Sequence, residues 1–267
     1  MYIVLILGVL IGVVLGLTGA GGGILAVPAL VSGQGLTMQQ AAPIALIAIT
    51  VSATLGTIEG LRRNLTRYRA AALMALAGIP FTTLGIQLAH MLPQVWLMGL
   101  FAGILLLVAG RGLRNPVTTG AGILENDRLT LGQIYPETGR FRWSWLTALL
   151  LGGIGALTGF MSGLLGVGGG FILIPLLHRF TELSIHAIVA TALMVIALVS
   201  AGGVLVALSH GVAVPWHITL PFTLATATGM FIGRRLITRL PEHWVQRGFA
   251  CLLILVALSL AVRIIQS

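Results

Sequence analysis

A glycine-rich phrase occurs twice in this chain, 147 residues apart and each time inside apolar sequence. Residues 16–30 read GLTGAGGGILAVPAL, and residues 163–177 read GLLGVGGGFILIPLL. Eight of the fifteen positions coincide: Gly16/Gly163, Leu17/Leu164, Gly19/Gly166, Gly21/Gly168, Gly22/Gly169, Gly23/Gly170, Pro28/Pro175 and Leu30/Leu177. In a helix each glycine costs roughly 0.8–1.0 kcal/mol relative to alanine, so a triple glycine interrupts it. A membrane chain that breaks a helix at matching places in two halves points to a binding site at the breaks.

The surroundings of the phrase belong to a bilayer. Hydrophobic residues make up 57% of the chain and charged residues 8%, against about 25% charged in a soluble domain. Glu59 is the first charged residue. A crossing helix needs about 20 mostly apolar residues, and segments 41–60, 70–92, 95–110, 143–162, 187–208, 214–233 and 244–262 supply them, besides the two glycine-broken segments. The N-terminus has no positive region ahead of its apolar run and reads as mature structure rather than a signal peptide. The expectation is an all-α polytopic membrane protein, multi-pass in the bacterial inner membrane, with lipid as its surroundings.

All fifteen basic residues are arginine, which leaves a net charge of +9. They sit in short loops between spans, where they orient the chain in the membrane; no nucleic-acid partner is expected. Cys251 is the lone cysteine and has no metal-ligand spacing. His90, His178, His186, His210, His217 and His243 fall at span ends without H-x-x-x-H or H-E-x-x-H spacing, so neither a metal nor a cofactor is expected.

The repeat reaches beyond the phrase. Leu36-Thr37 aligns with Leu183-Ser184 and Gly56 with Gly203 at the same offset; Gly85 and Pro93-Gln-Val-Trp96 align with Gly233 and Pro241-Glu-His-Trp244 one residue further on. The chain divides into a first transmembrane repeat, 1–113, a polar cytoplasmic joint, 114–142, and a second repeat, 143–267. Two topologies are open. If each glycine segment is one pass, the halves are parallel, eight spans result, and ten arginines are cytoplasmic against five outside. If each is a helical hairpin that enters and returns on one side, followed by three transmembrane helices, the halves are inverted. Fourteen arginines are then cytoplasmic and only Arg263 is not. The positive-inside rule favours the inverted two-fold repeat. So does length, because the arms 2–16 and 24–33 fall short of a crossing.

A break in a membrane helix is tolerated only where it is buried in protein or lines a cavity. Glycine lets a ligand approach the backbone closely. The N–H groups that open the next helix hold an anion without a charged side chain. Gly19, Gly21, Gly22, Gly23, Gly166, Gly168, Gly169 and Gly170 are therefore the expected substrate-binding backbone, with Pro28 and Pro175 kinking each segment five residues after its glycines. The competing reading makes these glycines close-packing surfaces between helices. A nucleotide loop does not fit, since Ile24-Leu25 stand where a Walker A motif needs Lys-Ser or Lys-Thr.

The doubled G-L-x-G-x-G-G-G-x-x-x-x-P-x-L, with its polar central joint, resembles the TauE/SafE family of sulfite and organosulfonate permeases, and the resemblance covers nearly the whole chain. It implies a membrane transporter of a small anionic solute, most specifically a sulfur oxyanion or organosulfonate. It names neither a coupling ion nor an oligomeric state, and a homo-oligomer fits it.

Hydroxyls suit an oxyanion because they donate without adding charge. Thr50, Ser52, Thr54 and Thr57 punctuate the second apolar segment, and Ser200 occupies a comparable stretch of the second half; Thr18, Thr158, Ser162 and Thr191 lie near the broken helices by sequence. Of these, Thr18, Thr50, Ser52, Thr191 and Ser200 are the side-chain candidates for substrate contact. The competing reading is that such hydroxyls bond their own helix or a neighbour. Glu59 is a candidate proton relay, but an ion pair with Arg62-Arg63 at headgroup level suits its place better. Trp96, Trp143, Trp145, Trp216 and Trp244 mark interfaces. The chain shows no catalytic constellation and reads as no enzyme. An anion channel on the same scaffold and a membrane scaffold for a partner protein are the alternatives to a secondary transporter.

Overall fold

The computed structural model describes residues 2–19, 21–114, 144–209, 211–212, 214–236 and 242–266, and among them the chain is entirely helical but for short connections. The helices are α1 (Tyr2–Thr18), α2 (Gly23–Gln34), α3 (Met38–Arg62), α4 (Tyr68–Met91), α5 (Gln94–Arg114), α6 (Trp145–Leu165), α7 (Gly170–Phe180), α8 (Ile185–Ser209), α9 (Trp216–Leu236) and α10 (Glu242–Gln266). Among the described residues, four helices, α3, α4, α6 and α8, are long and apolar enough to cross a membrane. The polar joint expected over 114–142 lies outside the described residues except for Arg114.

Local signals set these boundaries. The α1 helix ends where Gly19 turns left-handed (φ 77°), and its N–H donates to the Leu15 carbonyl at 2.8 Å. Gly166 ends α6 in the same way (φ 71°), donating to the Ser162 carbonyl at 2.8 Å. Glycine takes this C-terminal position because a side chain is strained there. Thr37 opens α3 through a capping box: its hydroxyl accepts from the Gln40 N–H, and the Gln40 side chain accepts from the Thr37 N–H. At the aligned position Ser184 accepts from the Ala187 N–H at 3.4 Å. Exposed Trp96, Trp145 and Trp216 stand at the starts of α5, α6 and α9.

The first glycine segment reverses direction. A methyl group at Gly22 would strike the Leu15 backbone, and one at Gly33 would stand 2.5 Å from Leu7, so α2 returns along α1. In the second segment α7 packs back on α6. However, α6 has 21 residues and is span-length, so the shortness argued from the first segment does not extend to both arms of the second.

Most helix packing joins one half of the chain to the other. α1 lies on α9, α6 on α4, α3 on α8 and α5 on α10. Two of these crossings rest on rows of glycine. Gly8, Gly12 and Gly16 press α1 on the α9 backbone around Phe222–Arg234, and Gly155, Gly159 and Gly163 press α6 on the α4 backbone from Met74 to Ile86. Without side chains at the seam, backbones come close enough for dispersion to hold helices together in lipid. At the α3–α8 crossing, Gly60 meets Ala190, Gly56 meets Leu193, and Gly203 meets Leu46. Residue numbers therefore fall on one helix as they rise on the other, and the two run antiparallel. Phe101 and Phe222 are the largest fully buried side chains in the core.

Candidate functional site

The two glycine breaks lie against each other inside the protein. A methyl at Gly23 would stand 2.5 Å from the Val167 carbonyl, and one at Gly166 would stand 2.5 Å from Ala42 and 3.1 Å from Val27 of α2. Ile49 of α3 bridges both breaks, 3.3 Å from that position at Gly23 and 3.1 Å from that at Gly168. Gly19, Gly21, Gly22, Gly23, Gly166, Gly168, Gly169 and Gly170 are all buried, and so is Pro28; Pro175 is exposed.

The two breaks differ in detail. Gly168 and Gly169 are left-handed (φ 76° and 67°), whereas Gly22 is right-handed (φ −61°, ψ −30°). The freedom only glycine has is thus needed at Gly169 and not at Gly22, which corrects a symmetric reading of the pair. Both positions are also tightly packed. A methyl at Gly22 would overlap the Leu15 backbone, and one at Gly169 would stand 2.5 Å from the Thr158 carbonyl and Cγ2. Alanine at either site perturbs packing whatever the site binds.

In the first break, the Thr18 hydroxyl accepts from the Gly21 N–H at 2.9 Å and itself donates to the Val14 carbonyl at 2.7 Å. The ring of Phe249 covers it, 2.8 Å from where a methyl at Gly21 would lie. In the second break no acceptor among the described residues meets the N–H groups of Gly168, Gly169 and Gly170. Four hydroxyls of the helices around the breaks, those of Ser52, Thr158, Ser162 and Ser200, are fully buried and have no hydrogen-bond partner among the described residues. Ser200 Oγ is 3.1 Å from the position a methyl would take at Gly168, Thr158 packs on Gly169, and Ser162 holds Gly166 through its carbonyl.

The remaining hydroxyl candidates are engaged. Thr50 donates to the Leu46 carbonyl at 2.7 Å, Thr54 to Thr50 at 2.7 Å and Thr57 to Ala53 at 2.8 Å, all within α3. Thr191 accepts from the Arg67 N–H at 3.0 Å, tying the α3–α4 turn to α8. Thr158 and Ser162, ranked by sequence below these, are the ones that adjoin the second break, Thr158 at Gly169 and Ser162 through its carbonyl at Gly166.

Glu59 lies at one end of this assembly. It pairs with Arg63 at 2.8 Å and, in a contact between the halves, with Arg234 of α9. The expected pair with Arg62-Arg63 holds for Arg63 alone; Arg234, 175 residues away, is the partner that sequence proximity missed. At the opposite end, a cavity of about 40 Å³ opens among the start of α3, the end of α4, Ala207 of α8 and Val212 just after that helix. Gln39 and His90 contribute polar atoms, and the cavity reaches inward to Gly163, Leu164 and Leu165, just ahead of the second break. It holds on the order of three water molecules.

Span-length helices, interrupted helices meeting in the interior and an apolar exterior define a polytopic α-helical membrane protein of the transporter class. Residues 4–260 match the family described as sulfite exporter TauE/SafE, and the chain belongs to that family. It is therefore a secondary membrane transporter of a small solute and not an enzyme. It is 28% identical over 257 residues to a "Probable membrane transporter protein" of Xylella fastidiosa (strain Temecula1), covering 94% of this chain and 91% of the relative. A protein of the same description from strain 9a5c is equally similar over the same shares. "Probable membrane transporter protein YunE" of Bacillus subtilis (strain 168) is 24% identical over 247 residues, 88% of this chain and 86% of that one. The chain is a multi-pass protein of the inner membrane. No solved structure matches it.

Proposed function

We propose that the transported solute is a small anion, a sulfur oxyanion or an organosulfonate, bound where the two glycine breaks meet. The observation that carries this is the pair of interrupted helices facing each other in the interior, with backbone N–H groups left open. Helix-opening N–H groups carry partial positive charge and take an anion with no cationic side chain. The family description, sulfite exporter, supports sulfur chemistry.

The scaffold is an inverted two-fold repeat of residues 1–113 and 143–267, joined by a cytoplasmic segment over 114–142, each half a glycine-broken hairpin followed by three crossings. The antiparallel α3 and α8 support this, since in parallel halves these equivalent helices would run the same way. The ion pair supports it independently. In the parallel arrangement Glu59 and Arg234 would lie on opposite faces of the bilayer, yet they touch. Alternating access then has two ends to work with, one closed by Glu59, Arg63 and Arg234 and the other opening through the cavity near Gln39 and His90.

The test is uptake by proteoliposomes across sulfite, sulfate, thiosulfate, taurine, sulfoacetate and aromatic sulfonates. Saturable, protein-dependent uptake of at least one is expected. Uptake of none, by protein that is folded and correctly inserted, overturns the proposal.

A further inference from the structure

Resting on the anion reading above, we infer that the anion is held asymmetrically, at the second break alone, by Thr158, Ser162 and Ser200 with the N–H groups of Gly168, Gly169 and Gly170, and that this site selects singly charged oxyanions. The sequence repeat invites two equal half-sites. The side chains contradict that symmetry. At the offset of 147, the positions of Thr158, Ser162 and Ser200 are occupied in the first half by Ile11, Leu15 and Ala53. Thr18, which satisfies Gly21 in the first break, has Leu165 as its counterpart in the second. In the first break the Thr18 hydroxyl takes the Gly21 N–H, and apolar side chains stand where the second break has hydroxyls. In the second, none of the N–H groups of Gly168, Gly169 and Gly170 has an acceptor among the described residues, and the unpaired Ser200 hydroxyl lies 3.1 Å from the methyl position at Gly168.

Those hydroxyls are the decisive feature. A buried polar group left unpaired destabilises a protein, and native structures rarely keep one without a use. Most threonines in the neighbouring helices donate to the carbonyl four residues back, as Thr50, Thr57, Thr82 and Thr226 do. Thr158, Ser162 and Ser200 are 0% exposed and do not. They come from two helices, α6 and α8, yet adjoin the same five-residue turn, Gly166–Gly170. Three donors from side chains and three from backbone suit the several oxygens of a tetrahedral oxyanion.

Charge sets the class of ligand. Neither α6 nor α8 contains an arginine, lysine, aspartate or glutamate; the one arginine of α7, Arg179, lies in its last turn, at the far end from Gly170; and Arg234 is engaged by Glu59. The site's donors are all neutral. Desolvating an ion costs in proportion to the square of its charge, so a dianion loses about four times what a monoanion does, with no cation to offset it. A sulfonate or hydrogen sulfite fits, and sulfate does not.

Purified protein and its Ser162→Ala, Ser200→Ala and Thr18→Val variants are titrated with methanesulfonate and with sulfate by calorimetry, and each ligand-free protein is melted. The native protein is expected to bind methanesulfonate at least about tenfold more tightly than sulfate. Each serine variant should lose about tenfold or more in methanesulfonate affinity while melting no lower than native, because an unpaired buried hydroxyl has been removed. Thr18→Val should do the reverse, melting lower with its affinity kept. Ser200 and Ser162 lie on different helices, so if one variant fails to fold the other reads the same site. Unchanged affinity in the serine variants, an equal loss in Thr18→Val, or equal binding of sulfate overturns the assignment while leaving an anion transporter standing. Binding of neither anion by folded native protein counts against the anion reading itself, and the assignment falls with it.

Discussion

Gly159→Ala probes the feature on which the whole scaffold hangs, the glycine seam between α6 and α4. The added methyl would overlap the Gly78 carbonyl oxygen and stand 2.6 Å from its carbon and 2.7 Å from its Cα. Ordinary contact begins near 3.4 Å, and the overlapped oxygen sets the displacement, so the helices must part by more than about 1 Å. Backbone faces backbone here, and no side chain can rotate away. That places the overpacking cost near the upper end of its range, about 3 kcal/mol. Better helix propensity returns roughly 0.8–1.0 kcal/mol, leaving a net loss of about 2 kcal/mol. Gly153, six residues earlier on the same helix, has nothing within 4 Å of its would-be methyl and is exposed. Gly153→Ala should only gain, by roughly 0.8–1.0 kcal/mol. Reversible unfolding of both variants in mixed micelles with increasing dodecyl sulfate measures the difference directly. A Gly159→Ala protein as stable as native, or no less stable than Gly153→Ala, refutes the argument that the seam needs bare backbone.

Three further outcomes are expected. Glu59→Gln breaks a partly exposed pair between the halves, so it should cost about 1 kcal/mol or less and leave the pH profile of transport unchanged; a shifted profile at normal protein level would make Glu59 a coupling residue. With Cys251 replaced, single cysteines at Gln34 and Ser209 should both label from outside the cell, whereas labelling of Ser209 from the cytoplasm alone would restore parallel halves. Thr37→Ala removes the hydroxyl of the α3 capping box and should lower stability by about 1 kcal/mol, read as a lowered midpoint in the same micelle titration; an unchanged midpoint would mean the box does not hold that helix end.

The sequence carried the breaks plainly, because glycine at Gly19 and Gly166 is demanded by backbone geometry, and geometry of that kind leaves a fixed residue type at a fixed place. The seams are legible too, as Gly8-Gly12-Gly16 and Gly155-Gly159-Gly163 at four-residue spacing, though the spacing alone does not say which helix each row meets. Which hydroxyls are free was not readable. Thr50 and Ser52 sit two residues apart on one helix, and only the packing around each shows that Thr50 bonds its own backbone while Ser52 has no partner. The Glu59–Arg234 pair was equally hidden, since Arg62 and Arg63 were nearer in sequence and a contact between halves depends on the fold. The asymmetry of the breaks lay in the letters, as Thr18 against Leu165 and Leu15 against Ser162. It acquired meaning only once both breaks were seen to meet.

Tracer counterflow in proteoliposomes tests the central claim most directly. Vesicles loaded with unlabelled methanesulfonate and diluted into labelled methanesulfonate should accumulate label transiently above equilibrium, because a carrier with one site returns loaded faster than empty. Label that only equilibrates, at a rate indifferent to what lies on the other side, would describe an anion channel and contradict transport by alternating access around the glycine breaks.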